Sequence, residues 1–100
     1  MKVGFDANDP DAIVCAHSTA GFLVGSFTVD PGPHVWGALE LTVVYRNGQG
    51  AWTTYPGLAV IDASTPSSGR IDVSWVAEVA LKITTVDGTS RGYSAEFYGR

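Results

Sequence analysis

Alternation of apolar and polar side chains with a period of two constrains this chain more than any other feature. Leu39, Leu41, Val43 and Tyr45 fall on one face of an extended segment, and Glu40, Thr42, Val44 and Arg46 on the other. Successive side chains of a strand point to opposite faces, so this rhythm marks a half-buried strand. Arg46-Asn47-Gly48-Gln49-Gly50 follows. Asn-Gly tolerates positive φ, which predicts a tight hairpin with Ala51 to Tyr55 as the return strand. Pro56-Gly57 ends that strand.

The same rhythm returns at Ile71, Val73, Trp75, Ala77, Val79, Leu81 and Ile83. One straight strand through this run would span roughly 50 Å at about 3.3 Å per residue. A domain of this length has a radius of gyration near 13 Å, roughly. The run must therefore break, and Ser74-Trp75-Val76 is the expected corner. Leu58 to Ile61 reads as a short strand, and the Ser, Thr, Pro and Gly content of residues 62–69 predicts a loop. Asp87-Gly88 predicts a second tight hairpin, before a last strand with Tyr93, Ala95 and Phe97 on one side.

In the N-terminal half, Ile13 to His17 and Phe22 to Val29 read as strands, and Asp30-Pro31-Gly32-Pro33 as a loop. Residues 1–11 are polar apart from Val3 and Phe5 and are expected to form a flexible arm. No stretch carries a capped helical period. The expected fold is all-β: a β-sandwich or jelly roll of about eight short antiparallel strands, with residues 12–100 as one domain and no substantial helix.

Charge narrows the function. The net charge is −4, and the six cations are Lys2, Arg46, Arg70, Lys82, Arg91 and Arg100, no two adjacent. Nucleic-acid binding needs a clustered basic surface, so it is not expected. The start of the chain lacks the apolar stretch of a signal peptide, and no apolar run is long enough to span a membrane.

Catalytic chemistry is not expected either. Cys15 is the lone cysteine and reads as a small buried apolar residue, with His17 two positions on but nothing to complete a catalytic pair. Asp6, Asp9 and Asp11 lack the spacing of a calcium loop, and His17 and His34 belong to no ligand pattern, so no metal or cofactor is expected. Glu40, Glu78 and Glu96 lie on outward strand faces, where solvation beside Arg46 and Lys82 accounts for them better than a glycosidase pair.

The aromatic residues raise a binding question instead. Trp75 and Tyr45 lie on expected core faces, while Trp52 fits either core or rim. Tyr55 and Tyr98 are placed for exposed contacts. Val44, Val76 and Val86 point outward in this register, which predicts a second face partly covered, either by the other sheet or by a partner.

The segments LELTVVYRNGQGAWTTYP and IDVSWVAEVALKITTVDGTSRGYSAEFYGR give an alternating strand, a glycine turn, a Trp strand, a corner, a long strand and a closing strand. Across residues 22–100 this pattern resembles the short β-sandwich virion proteins of tailed bacteriophages, including capsid decoration (cement) proteins. Asn47-Gly48 in place of Asp-Gly is a small departure from that pattern, and residues 1–11 have no counterpart in it. The resemblance implies a non-enzymatic protein on the capsid exterior, assembled in the host cytoplasm. It implies a homotrimer that binds the major capsid protein and its own copies. Phe5 in the arm, with Trp52, Tyr55 and Tyr98, are the expected partner contacts. A carbohydrate-binding or receptor-binding module, stacking sugars on Trp52, Tyr55 or Tyr98, is the alternative. A head-fibre or tail component is another.

Overall fold

The computed structural model describes residues 2–33, 35–87 and 92–100. It holds eight strands: β1 (Lys2–Asp6), β2 (Ile13–Ser18), β3 (Val24–Asp30), β4 (Glu40–Arg46), β5 (Thr53–Thr54), β6 (Ile71–Asp72), β7 (Glu78–Thr85) and β8 (Gly92–Gly99). No helix occurs among the described residues. Two four-stranded antiparallel sheets form the sandwich. The first has the order β1-β8-β3-β6, the second β2-β7-β4-β5. Every connection except β4–β5 passes from one sheet to the other.

Alternation fills the space between them. Leu41 and Val43 of β4 face inward with Val79, Leu81 and Ile83 of β7. Phe27 and Val29 of β3 meet Tyr93, Ala95 and Phe97 of β8 in the opposite sheet. At one end the inner aromatic rings are large, and the backbone yields to them. Gly25 and Gly99 are paired across β3 and β8. A Cβ on Gly25 would lie 2.4 Å from the Phe97 ring, and one on Gly99 would lie 2.6 Å from the Phe22 ring.

The expected corner is present. The 71–83 run splits into β6 in one sheet and β7 in the other, and residues 73–77 make the crossing. Asp72 starts it: its Oδ1 accepts from the Ser74 amide at 3.0 Å and the Ser74 hydroxyl at 2.7 Å. Asp-x-Ser is a local turn former of this kind. Asp62 repeats the device with Ser64 and Thr65, opening the expected 62–69 loop. The radius of gyration, 12.7 Å, is what made a single straight strand impossible.

Several expectations are corrected. Residues 2–6 are not a free arm. They pair with β8 in the register Val3↔Ala95 and Phe5↔Tyr93, because Val3 and Phe5 carry the two-residue rhythm at a sheet edge. The β4–β5 connection is not a tight turn. Tyr45 pairs with Thr53, and residues 47–52 lie between the strands. The only described non-glycine residues with positive φ are Asp11 and Cys15, so Asn47 lacks the geometry of a two-residue Asn-Gly turn. Its side chain instead accepts from the Ala77 amide at 2.7 Å, tying the loop to the corner. Residues 58–61 contribute only an isolated bridge, Leu41↔Ile61. The hairpin expected at Asp87-Gly88 lies partly outside the described residues, as does His34.

Two members of the outward apolar set, Val76 and Val86, are corrected as well. Val76 is buried in the core cluster and Val86 packs against it. Val44 does face outward, yet it is 1% exposed beside its cross-strand partner Ala80.

Candidate functional site

Phe5 is withdrawn as a surface contact. It is 9% exposed, and its ring stacks on Tyr93 with centroids 6.0 Å apart. The edge strand that holds it turns it inward.

Trp52 and Tyr55 lie at the end of the sandwich built by the 47–52 loop and the 73–77 corner. Trp52 is half-buried, with the Arg46 guanidinium 4.3 Å above its ring. Arg46 also donates from Nε to Glu78 at 3.0 Å. Tyr55 is half-buried and donates its hydroxyl to the Asp72 carbonyl at 2.6 Å. Its ring sits 5.4 Å from that of Trp75, which in turn lies 4.8 Å from Tyr45. Trp75 itself is 45% exposed, not core. The alternation that placed it inside stops at Val73, where the chain leaves the sheet. Tyr45, Tyr55 and Trp75 therefore form an aromatic ridge rooted in the core and open to solvent.

Tyr98 is exposed, as expected, at 56%, on the outer face of the first sheet. Its hydroxyl donates to Glu96 Oε1 at 2.5 Å. That bond holds the Glu96 carboxyl below its ordinary range and pushes the Tyr98 phenol up. Tyr98 divides two hollows. One, of about 170 Å³, is lined by Lys2, Thr28, Asp30, Ser94 and Glu96 and carries two carboxylates. The other is a cleft of about 440 Å³, lined by Ser26, Arg70, Arg100 and the backbone of Gly25, Gly69 and Gly99.

Local chemistry shapes that cleft. Ser68 Oγ accepts from the Phe27 amide at 2.8 Å, and the Ser68 amide donates to the Phe27 carbonyl at 3.0 Å. The loop thus runs beside β3 before β6 begins. Ser67 bridges Thr28 and Ile71 pairs with Gly25. Four residue steps on the loop side oppose three on β3, so one extra residue is accommodated between them, with Gly69 at φ +69. A bulge of this kind re-aims the side chains next to it, here Arg70. Arg100 is fixed from the other side: its main-chain oxygen accepts from the amides of Leu23 at 2.8 Å and Val24 at 3.1 Å.

Neither arginine was singled out from the sequence as a site. Thirty positions separate them, and only their shared Gly-Arg context, Gly69-Arg70 and Gly99-Arg100, hints at a common setting.

The other chemistry-bearing residues do not assemble. Cys15 sits at a bulge in β2, between Val14↔Leu81 and His17↔Val79, and points into the core, where burial raises its thiol pKa. His17 packs on Phe97 with centroids 5.0 Å apart and donates Nδ1–H to the Ser18 carbonyl at 2.7 Å. Glu40 and Glu78 belong to the second sheet and Glu96 to the first, so the three share no surface.

Fold and surface together define an antiparallel β-sandwich with a two-arginine cleft on one sheet and an aromatic ridge at one end. No family model and no curated protein sequence matches the chain. Among solved structures, the SPBc2 prophage-derived protein YomS is similar to it, with a TM-score of 0.54 at 11% identity, covering 98% of this chain and 94% of that one. At that identity the likeness is one of fold.

Proposed function

We propose that this chain is a structural component of a tailed-phage particle, a decoration protein that binds the capsid exterior through the major capsid protein and its own copies. The observation that carries the reading is the whole-length fold likeness to a prophage-derived protein. The aromatic ridge is the surface it offers to the capsid. Exposed Trp and Tyr anchored in a core are the side chains that dominate protein interfaces, because they bury much area at little entropic cost. On this reading the protein is non-enzymatic, and the particle is its location.

Particles produced from the genome that encodes the chain test the reading. Mass spectrometry should find the chain in purified particles, and antibody labelling in electron micrographs should decorate heads. Trp75→Ala should lower its occupancy while leaving the isolated protein folded. Sedimentation of the purified chain should give three times the 10.5 kDa protomer mass. Particles without the chain would overturn the structural role. Label confined to tails or fibres would move it to another position in the virion, and a monomer on and off the capsid would remove the trimer.

A further inference from the structure

The cationic residues of this acidic chain are distributed unevenly. Lys2 lies 3.8 Å from Asp30, Lys82 lies 3.8 Å from Asp11, and Arg46 lies 3.0 Å from Glu78. Arg70 and Arg100 have no ion-pair partner among the described residues, and both line the 440 Å³ cleft beside Tyr98. The carboxylates Asp30 and Glu96 line the hollow on the other side of Tyr98, and Asp72, whose carboxyl is lowered by its hydrogen bonds from Ser74 and also by the Arg70 charge, is likewise absent from the lining of this cleft.

We propose that the cleft binds a carboxylated saccharide. A guanidinium presents a fork of donors that matches a carboxylate. The exposed Tyr98 ring, held by its bond to Glu96, offers a flat face for a pyranose ring, and the Ser26 hydroxyl supplies a polar contact for sugar hydroxyls. The cleft volume falls within the roughly 300–1,000 Å³ of ligand sites. Extended peptides commonly bind by adding a strand to a sheet edge, although arginine clusters also read acidic motifs. This cleft lies instead on a sheet face, over the paired residues Gly25↔Gly99 and Ser26↔Tyr98. The main-chain groups of Ser26 serve the β3–β8 ladder, and Gly25 is paired with Ile71 of β6, so the surface favours a ligand recognised through ring faces and carboxylates. The inference is independent of particle location, because binding is read on the isolated chain.

Amide shift mapping by NMR tests it, with digalacturonate and sialyllactose as probes, methyl-esterified digalacturonate as the uncharged control and oligoglutamate as the peptide control. At least one acidic saccharide should shift Gly25, Ser26, Arg70 and Gly99, and added salt should weaken it. Arg70→Gln and Arg100→Gln, both at exposed positions, should each lower its affinity about tenfold, the loss of one charge-assisted contact. Tyr98→Ala should weaken the charged saccharide and the ester alike. Absence of shifts in the cleft with both acidic saccharides would overturn the proposal. So would equal affinity for the ester, unchanged affinity in both arginine variants, or tighter binding of oligoglutamate at the same residues.

Discussion

The two sheets turn opposite kinds of surface to solvent, although one alternation rule built both. On the second sheet the outer face is closed. Val44 and Ala80 are buried side by side, Arg46 is taken up by Glu78 and Trp52, and Lys82 faces Asp11. On the first sheet the outer face is open: Tyr98 stands exposed between an acidic hollow and a cleft that carries two arginines without an ion pair among the described residues. The inner faces are interchangeable in character. Function-bearing difference resides in which outward residues are neutralised by neighbours.

Introducing a charge on each outer face is the severest way to break this comparison. Val44→Asp places a carboxylate at a buried position with no partner and should cost about 3–5 kcal/mol, enough to unfold much of a small domain. Thr28→Lys, on the exposed face of the other sheet and opposite Glu96, should change stability by no more than about 0.5 kcal/mol. Urea denaturation of the two variants measures the contrast, and similar losses would refute it.

The cleft floor gives the next largest effect. Gly25→Ala drives a methyl group into the Phe97 ring, and Gly99→Ala drives one into Phe22. Each should cost about 1–3 kcal/mol through overpacking. Gly50→Ala, which meets open space, is the control.

Smaller again is the pair that closes the second sheet. Glu78→Gln should cost about 0.2–1 kcal/mol, with a positive coupling to Arg46→Gln in a double-mutant cycle. The Arg46 contact with Trp52 should persist, visible as unchanged tryptophan emission.

Titration sharpens the contrast without a large energy. Hydrogen bonds to Ser64, Ser74 and Tyr98 lower the carboxyls of Asp62, Asp72 and Glu96 respectively. A carboxyl lowered by folding stabilises the fold above its unfolded value, about 3.9 for Asp and 4.3 for Glu. That contribution is lost as pH falls through the lowered folded value. Tyr98 is raised by Glu96, so its contribution holds below about 10 and is lost as pH climbs through the raised value. Ultraviolet titration should show a late tyrosinate step that Tyr98→Phe removes.

Much of the interior was legible in the sequence. The inward faces of β4, β7 and β8 follow directly from alternation, because a strand encodes in and out locally. The corner near Trp75 followed from length alone, since a compact chain cannot hold so long a straight strand. Phe5 and Asn47 were misplaced for a shared reason. Their local chemistry fitted an arm and a tight turn, but β8 and the Ala77 amide, both distant in sequence, offered pairings that decided otherwise.

The sequence by itself determined that this chain makes two-faced strands and how most of them fill a core. Tertiary structure alone decided which charges meet and which remain open. Arg70 and Arg100 share a cleft only because β6 and β8 both flank β3, an order that arises from the chain crossing repeatedly between sheets. Alternation is a property of neighbouring residues, while neutralisation of a charge depends on a partner that only folding brings near.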